Sequence, residues 1–414
     1  MERNIKLYPI YKSFSYDTLF YYAISILFLT KVKNFSLSQV AMISSVYAIT
    51  SIFAQIPSAI IVDKLGLKNS MIIGNLLCVL WGVFYILIPD FNIFIIAEVF
   101  DAIGFSLKGI AEGPFIYGSL KKINRISEYS KIEGKGSAHY YIFEAMASIV
   151  AGFLFTINVY LPVIFASSCF IISTIIAFYM IPVKIQGVEN TTPKEHIKDT
   201  LDSFKFIFKS KRLHAMLLFA CVFNGILSLG NLYIKTYFND INTSAKIFGY
   251  VFAAASVASA IGARVQNRLE KKSKNKTLSS YSISYIITFL IIGASSLIFN
   301  DYFLLLTIGI LIFMYQSFAR GGYYVVIKEY VSRYTTSSIR TKIMSIYHLV
   351  AHLGTAITLF IASKTIDLTP IGMSYVIFGF SFFISIILIL NYMSTRMGLD
   401  PSKYTKRDRF DLEN

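Results

Sequence analysis

The chain has 414 residues, of which 55% are hydrophobic and 15% charged, against about 25% charged in an ordinary soluble domain. With a mean hydropathy of +0.60, that composition excludes a soluble globular protein and expects a membrane-embedded chain. The net charge of +16 would suit a nucleic-acid binder only if the cations clustered on one surface, and they do not.

A helix crossing about 30 Å of hydrocarbon needs roughly 20 mostly apolar residues. On that rule twelve spans are expected, six of them at about 9–30, 39–62, 70–89, 92–117, 137–159 and 161–182. After a polar stretch the other six fall at about 213–237, 246–266, 278–299, 302–327, 340–363 and 371–394. All should be helices, because an open strand edge in lipid leaves backbone groups without partners. The first apolar run is long and lacks a small-residue cleavage site, so it is expected to remain as the first span.

The basic residues set the orientation. Of 39 Lys and Arg, 32 fall on the side that carries both termini, five (Lys31, Lys33, Lys235, Lys246 and Lys364) on the other, and Lys108 and Arg320 lie within spans. The positive-inside rule then puts both termini in the cytoplasm of a multi-pass cell-membrane protein, with anionic headgroups as partners of the basic excess and no nucleic acid.

Four parts are expected: a six-helix bundle over 1–182, a cytoplasmic linker over 183–212, a second six-helix bundle over 213–396 and a tail over 397–414. In the linker Thr192 stands as a cap, Pro193 in the first turn, and Ile197, Leu201, Phe204 and Phe208 recur at helical spacing, which predicts an amphipathic helix on the membrane surface. Cys78, Cys169 and Cys221 fall in apolar runs, where cysteine acts as a small hydrophobe, so neither disulfide nor metal site is expected.

The stretch SAIIVDKLGLKN (58–69) ends the second span with charge, and ARVQNRLEKK (263–272) ends the eighth. Asp63 aligns with Asn267, Lys64 with Arg268 and Lys68 with Lys272, a constant offset of 204 residues. Duplication of a six-span unit is typical of secondary transporters.

The run Asp63-Lys64-Leu65-Gly66-Leu67-Lys68 resembles the signature loop between helices 2 and 3 of the major facilitator superfamily, with Ala59 in place of its first glycine and Leu67 in place of a basic residue. SLSQVAMISSVYAI, YGSLKKINRISEYSKI and SIRTKIMSIYHLVAHLG are similar to bacterial members. The resemblance covers nearly the whole chain and implies two pseudo-symmetric six-helix bundles, an all-α membrane fold. It also implies a gate in which the loop carboxylate approaches the start of helix 11, expected near Ser337 to Arg340. A helix start carries about half a positive charge, and a carboxylate there gains about 0.3–2 kcal/mol. The gate set is thus Asp63, Lys64, Gly66, Lys68, Asn267, Arg268 and Arg340.

Ionisable groups inside spans are expensive and therefore functional candidates. In AEVFDAIGFSLKGIAEGPF, Glu98, Asp101, Phe105, Lys108 and Glu112 share one helical face, which is expected to line a cavity. By depth, Asp17, Glu144, Lys108, Glu112 and Arg320 converge on its inner half, either as a switching polar network or, more simply, with Lys108 and Glu112 as an i,i+4 pair and Asp17 as a helix cap. His348 and His352 have a metal-compatible spacing but no third ligand nearby, so helix packing or cavity lining is expected of them. Tyr21, Tyr22, Tyr140, Tyr141, Tyr323 and Tyr324 suit an amphipathic or aromatic solute.

The expected function is a secondary active transporter of a small solute by alternating access, coupled to protons, with efflux favoured over uptake, acting as a monomer and without cofactor. The alternatives are a membrane enzyme or flippase for lipid-linked substrates, and a non-transporting receptor on the same fold. An enzyme would need a motif such as HExxH, GxSxG or a Gly-rich phosphate loop, and none occurs.

Overall fold

The computed structural model describes residues 1–88, 90–183, 211–273, 276–333 and 340–397. The amphipathic linker helix and the tail expected from the sequence lie outside them. The described residues form helices: α1 (Glu2–Ser15), α2 (Tyr21–Leu27), α3 (Leu37–Leu65), α4 (Leu67–Leu87), α5 (Phe91–Lys121), α6 (Tyr129–Ile157) and α7 (Leu161–Tyr179). There follow α8 (Lys211–Asp240), α9 (Ala245–Ser273), α10 (Thr277–Ile298), α11 (Tyr302–Arg333), α12 (Arg340–Thr365) and α13 (Ile371–Met397).

Ten of these helices are long and apolar enough to cross a membrane. Two expected spans fall short of that measure for different reasons. Helix α5 is long enough but carries Glu98, Asp101, Lys108 and Glu112. The first span, expected as one helix over 9–30, is instead broken: α1 stops at Ser15, α2 starts at Tyr21, and a π-helical turn, Phe28–Val32, follows. The physical reason lies in Ser15–Phe20. Asp17 turns its carboxylate onto the Thr18 amide at 2.7 Å, a side-chain competitor for the helical ladder, and Phe20 sits at φ +65°, which no continuous helix accommodates.

The described residues group into two compact units. The first comprises those in 1–35, 46–183 and 244–253; the second comprises those in 36–45, 211–243 and 254–397.

In the first unit α4 and α5 meet backbone to backbone. A Cβ on Gly104 would lie 2.6 Å from the Gly74 carbonyl oxygen and 2.9 Å from Cys78 Sγ, and one on Gly74 would lie 2.7 Å from the Gly104 oxygen. Glycine at both positions is what lets the backbones approach, as small residues do in membrane helix pairs. Tyr8, Tyr11, Met71, Leu107, Phe115 and Ile116 pack beneath this seam. Asp90 caps α5 through the Asn92 amide at 2.8 Å, satisfying an otherwise orphaned donor. Gly66 opens α4 at φ +80° with open space where a Cβ would stand, so glycine is required there by conformation and not by crowding. The end of α6 rests on the start of α9, Gly152 against the backbone of Ala245 and Lys246.

In the second unit α8 and α12 repeat the device, a Cβ on Gly225 falling 2.7 Å from the Gly354 oxygen. The opening turns of α3 pack on the end of α12, where Ser45 Oγ donates to the Ala356 carbonyl at 3.1 Å. The Ser38 amide donates to Asp367 at 3.3 Å.

Candidate functional site: a charged helix beside a broken one

Six of the seven pathway residues expected from the sequence lie in the first unit, and the break in the first span organises them. Ending α1 at Ser15 leaves helix carbonyls without amide partners. The Lys108 ammonium donates to one of them, the Ser15 carbonyl. Its Nζ also lies 3.6 Å from the centroid of the Phe105 ring and 4.4 Å from that of Phe170. A cation at the carboxyl end of a helix, flanked by two π faces, is stabilised by the helix dipole and by both quadrupoles. Lys108 is 2% exposed and, among the described residues, makes no ion pair within 4.0 Å, unlike Lys12 with Glu133 or Arg125 with Glu2 and Glu128. The i,i+4 pairing of Lys108 with Glu112 is therefore not formed.

Glu112 instead accepts from Ser15 Oγ at 3.2 Å, and the same hydroxyl stands 3.2 Å from Asn75 Oδ1. The Asn75 amide donates in turn to Tyr11 Oη at 3.3 Å. All of these groups are buried, so the polar chain knits α1, α4 and α5 together below the break.

Above it the acids are served by aromatic donors. Trp81 Nε1 donates to Glu98 Oε1 at 3.2 Å, and the Tyr85 hydroxyl donates to the same oxygen. The Tyr21 ring packs edge-on against Trp81 and Tyr85, with centroids at 5.2 and 5.6 Å. Asp101, one turn from Glu98, has a buried Oδ1 with no hydrogen-bond partner, and Tyr21 Oη is likewise buried and unpartnered.

Asp17 and Glu144 line one narrow crevice, too tight in this state to admit a water molecule, together with Phe20, Tyr22, Tyr140 and Ser148. Tyr140 donates to Asp17 Oδ2 at 3.3 Å and its ring lies 4.4 Å from that of Tyr16. Phe20 meets Phe143 and Phe165 edge-on.

Toward the end that carries Met1, Lys12 pairs with Glu133, which also accepts from Tyr8 Oη at 2.6 Å. Asn4 reads both backbone groups of Ile181, accepting from its amide at 2.7 Å and donating to its carbonyl at 2.9 Å, while donating to Ser119 Oγ at 2.9 Å. At the other end Lys33 donates to the Ile88 carbonyl at 3.3 Å and faces the rings of Phe28, Phe94 and Tyr160. Burial there pulls its ammonium below the usual lysine range, because a desolvated cation is disfavoured.

The sequence profile of the Major Facilitator Superfamily matches residues 13–317. The chain belongs to that superfamily. Its members are transporters and not enzymes, which removes the membrane-enzyme alternative. An uncharacterized MFS-type transporter, YxaM, of Bacillus subtilis (strain 168) is 23% identical over 230 residues. That match takes in 53% of this chain and 55% of the relative, so the chain spans about half the length of the curated relative it matches. Among solved structures, the nucleoside transporter NupG superposes with a TM-score of 0.76 at 13% identity, covering 98% of this chain and all of that one. A D-xylose–proton symporter superposes with a TM-score of 0.73 at 12% identity, covering 96% of this chain and 98% of that one. At such identities the likeness is one of fold: all-α, membrane-embedded and of the superfamily's type.

Within this superfamily member the signature loop is placed as follows. Asp63 and Lys64 are exposed at the end of α3, and Gly66 makes the turn. Lys68 donates to the Phe178 carbonyl at 2.7 Å, at the last turn of α7. Arg268 is exposed near the end of α9, Asn267 precedes it in the same helix, and Arg340 is the first residue of α12. Arg320, on α11, is half-buried in the second unit. Sequence reasoning did not single out Ser15, Asn75, Trp81, Tyr85 or Asn4. The polar run SYDT at 15–18 was the available signal for the break, since Ser, Asp and Thr all offer the backbone local hydrogen bonds.

Proposed function

We propose that the protein is a secondary transporter that moves a small amphipathic solute across the cell membrane by alternating access between two six-helix halves, 1–182 and 213–396. It exports that solute in exchange for protons. Asp17, Glu98, Asp101, Lys108, Glu112, Glu144 and Arg320 form the substrate and proton pathway, and Asp63, Lys64, Gly66 and Lys68, with Asn267, Arg268 and Arg340, form the gate. It works as a monomer with both termini in the cytoplasm.

One observation carries this reading. Helix α5 buries Glu98, Asp101, Lys108 and Glu112, yet no two of them form an ion pair within 4.0 Å. Each such group costs about 2.5–3.5 kcal/mol to insert, and a purely structural set would recover part of that by pairing. Groups kept apart in a buried helix are free to change partner or protonation as the protein changes state. The aromatic surround of the Asp17–Glu144 crevice supports an amphipathic solute.

The test is solute flux in proteoliposomes under an imposed pH gradient, for wild type and for Asp17→Asn, Glu112→Gln and Glu144→Gln. Flux should follow the gradient in wild type and lose that dependence in at least one variant. Flux that ignores the gradient, or three variants that all still concentrate solute, would overturn the coupling.

A further inference from the structure

We propose that Glu98 and Asp101 form a buried carboxylate pair that holds a single proton between them, Glu98 as the ionised member and Asp101 as the acid. The pair's role as the coupling site rests on the transporter reading above; its occupancy by a proton does not.

The two groups stand one turn apart on the same face of α5, which puts their Cβ atoms about 5–6 Å apart, and both are at least nine-tenths buried. Two like charges so placed, away from water, cannot both persist. The hydrogen bonds decide which one gives way. Glu98 Oε1 accepts from both the Trp81 indole and the Tyr85 phenol, and donors of that kind favour a carboxylate. Asp101 Oδ1 receives nothing, and its carboxyl has only the weak donor of the Cys78 thiol. An anionic oxygen without a donor is the costlier of the two to keep, so the proton belongs on Asp101.

Among the described groups around the pair, Lys108 is the cation whose field reaches Asp101. From α2 the pair faces Tyr21, whose phenol feels both carboxylates. From α3 it faces Tyr47, which feels Asp101 and Glu98. From α4 it faces Tyr85 and the Cys78 thiol, the latter beside Asp101. On α5 itself the nearest cation in sequence is Lys108, two turns away and committed to the end of α1. From the break, Asp17 adds a further negative charge in range of Asp101.

Tyr21 Oη is an independent sign of a missing occupant. It is a hydroxyl buried to 6% exposure with no partner, within the field of Glu98 and Asp101. Among the described residues no grouping of three or more His, Cys, Asp or Glu could hold a metal ion, so a proton suits the pair better than a metal cation.

The experiment is infrared spectroscopy of the full chain in liposomes, reading the carbonyl stretch of protonated carboxyl groups and its shift in deuterated buffer. Wild type should show a protonated-carboxyl band at neutral pH that loses intensity in the Glu98→Gln/Asp101→Asn double variant and keeps it in Asp17→Asn. Adding sodium chloride at constant pH should leave the band in place. The proposal is overturned if wild type shows no such band, if the double variant leaves the spectrum unchanged, or if sodium bleaches the band, which would make the pair a sodium site. The wild-type and sodium arms need no variant to fold. A band that behaves as expected, together with flux that ignores a pH gradient, would uphold the pair and overturn only its role in coupling.

Discussion

Replacing Lys108 by methionine keeps an unbranched apolar side chain between the Phe105 and Phe170 rings and removes only the charge. The ammonium makes a hydrogen bond to the Ser15 carbonyl, a charged contact of the kind that contributes about 1.5–3 kcal/mol. Its two ring contacts, at 3.6 and 4.4 Å, add about 0.5–2 kcal/mol each. Methionine recovers part of this through sulfur–aromatic contact, about 0.3–1.5 kcal/mol. Because the rings stand on α5 and α7, the pin on α1 is the hydrogen bond alone, and at 1.4 kcal/mol per factor of ten its loss should make local opening of the break about 10- to 150-fold more frequent. Global stability follows a different ledger. When only the break opens, Lys108 stays buried on α5, so its desolvation cost does not change. When the whole protein unfolds, removing the charge relieves an insertion cost of about 2.5–3.5 kcal/mol, which nearly cancels the lost contacts. Hydrogen–deuterium exchange by mass spectrometry should thus show faster exchange in the peptide spanning residues 16–22, with the thermal midpoint of the protein little changed. Unchanged exchange at 16–22 would refute the pin, and a large uniform loss of stability would refute the cancellation.

Gly104→Val should fail to accumulate in the membrane, because its Cβ would meet the fixed Gly74 oxygen at 2.6 Å, whereas Gly109→Ala, with nothing within 4 Å, should accumulate like wild type; membrane yield distinguishes them. Asn4→Ala strands the amide and carbonyl of Ile181 together with Ser119 Oγ, and should lower stability by about 3 kcal/mol or more at about 1–3 kcal/mol per buried unsatisfied group. A thermal midpoint equal to wild type would contradict that. Asp63→Asn should raise alkylation of a single cysteine placed in the inner vestibule about five- to thirtyfold, the shift expected from losing about 1–2 kcal/mol of gate contact. Unchanged labelling with normal transport would remove Asp63 from the gate.

Hydropathy made most of the spans legible because a bilayer imposes one length and one polarity on every crossing. Helix α5 was readable despite its charges, since they recur on one face and leave the rest apolar. The break at Ser15–Phe20 was harder: it contains neither glycine nor proline, and only the polar run SYDT, with Asp17 as a cap, hinted at it. The partners of the charges were less legible still. Lys108 binds a backbone carbonyl, which has no letter of its own in a sequence, and so the nearest carboxylate, Glu112, stood in for it. Asp17 and Glu144 were expected at one depth, and the structure brings both to one crevice. The Gly74–Gly104 contact depends on which faces of two helices meet, and no single-helix pattern reports that.

That glycine contact has a mechanical consequence. Side-chain layers between helices give way easily because exposed rotamers hop in picoseconds to nanoseconds, but a carbonyl resting on a glycine has no such cushion. Helices α4 and α5 therefore behave as one beam, and Trp81, Tyr85 and Cys78 on one keep their spacing to Glu98 and Asp101 on the other under load. Compliance in the first unit is concentrated where regular helix is already lost, at residues 16–20 and in the π-helical turn at Phe28–Val32. A small rigid compound wedged at residues 16–20 would jam the motion of this half while leaving every buried charge untouched, which marks the hinge as a target for an inhibitor that need not resemble the solute.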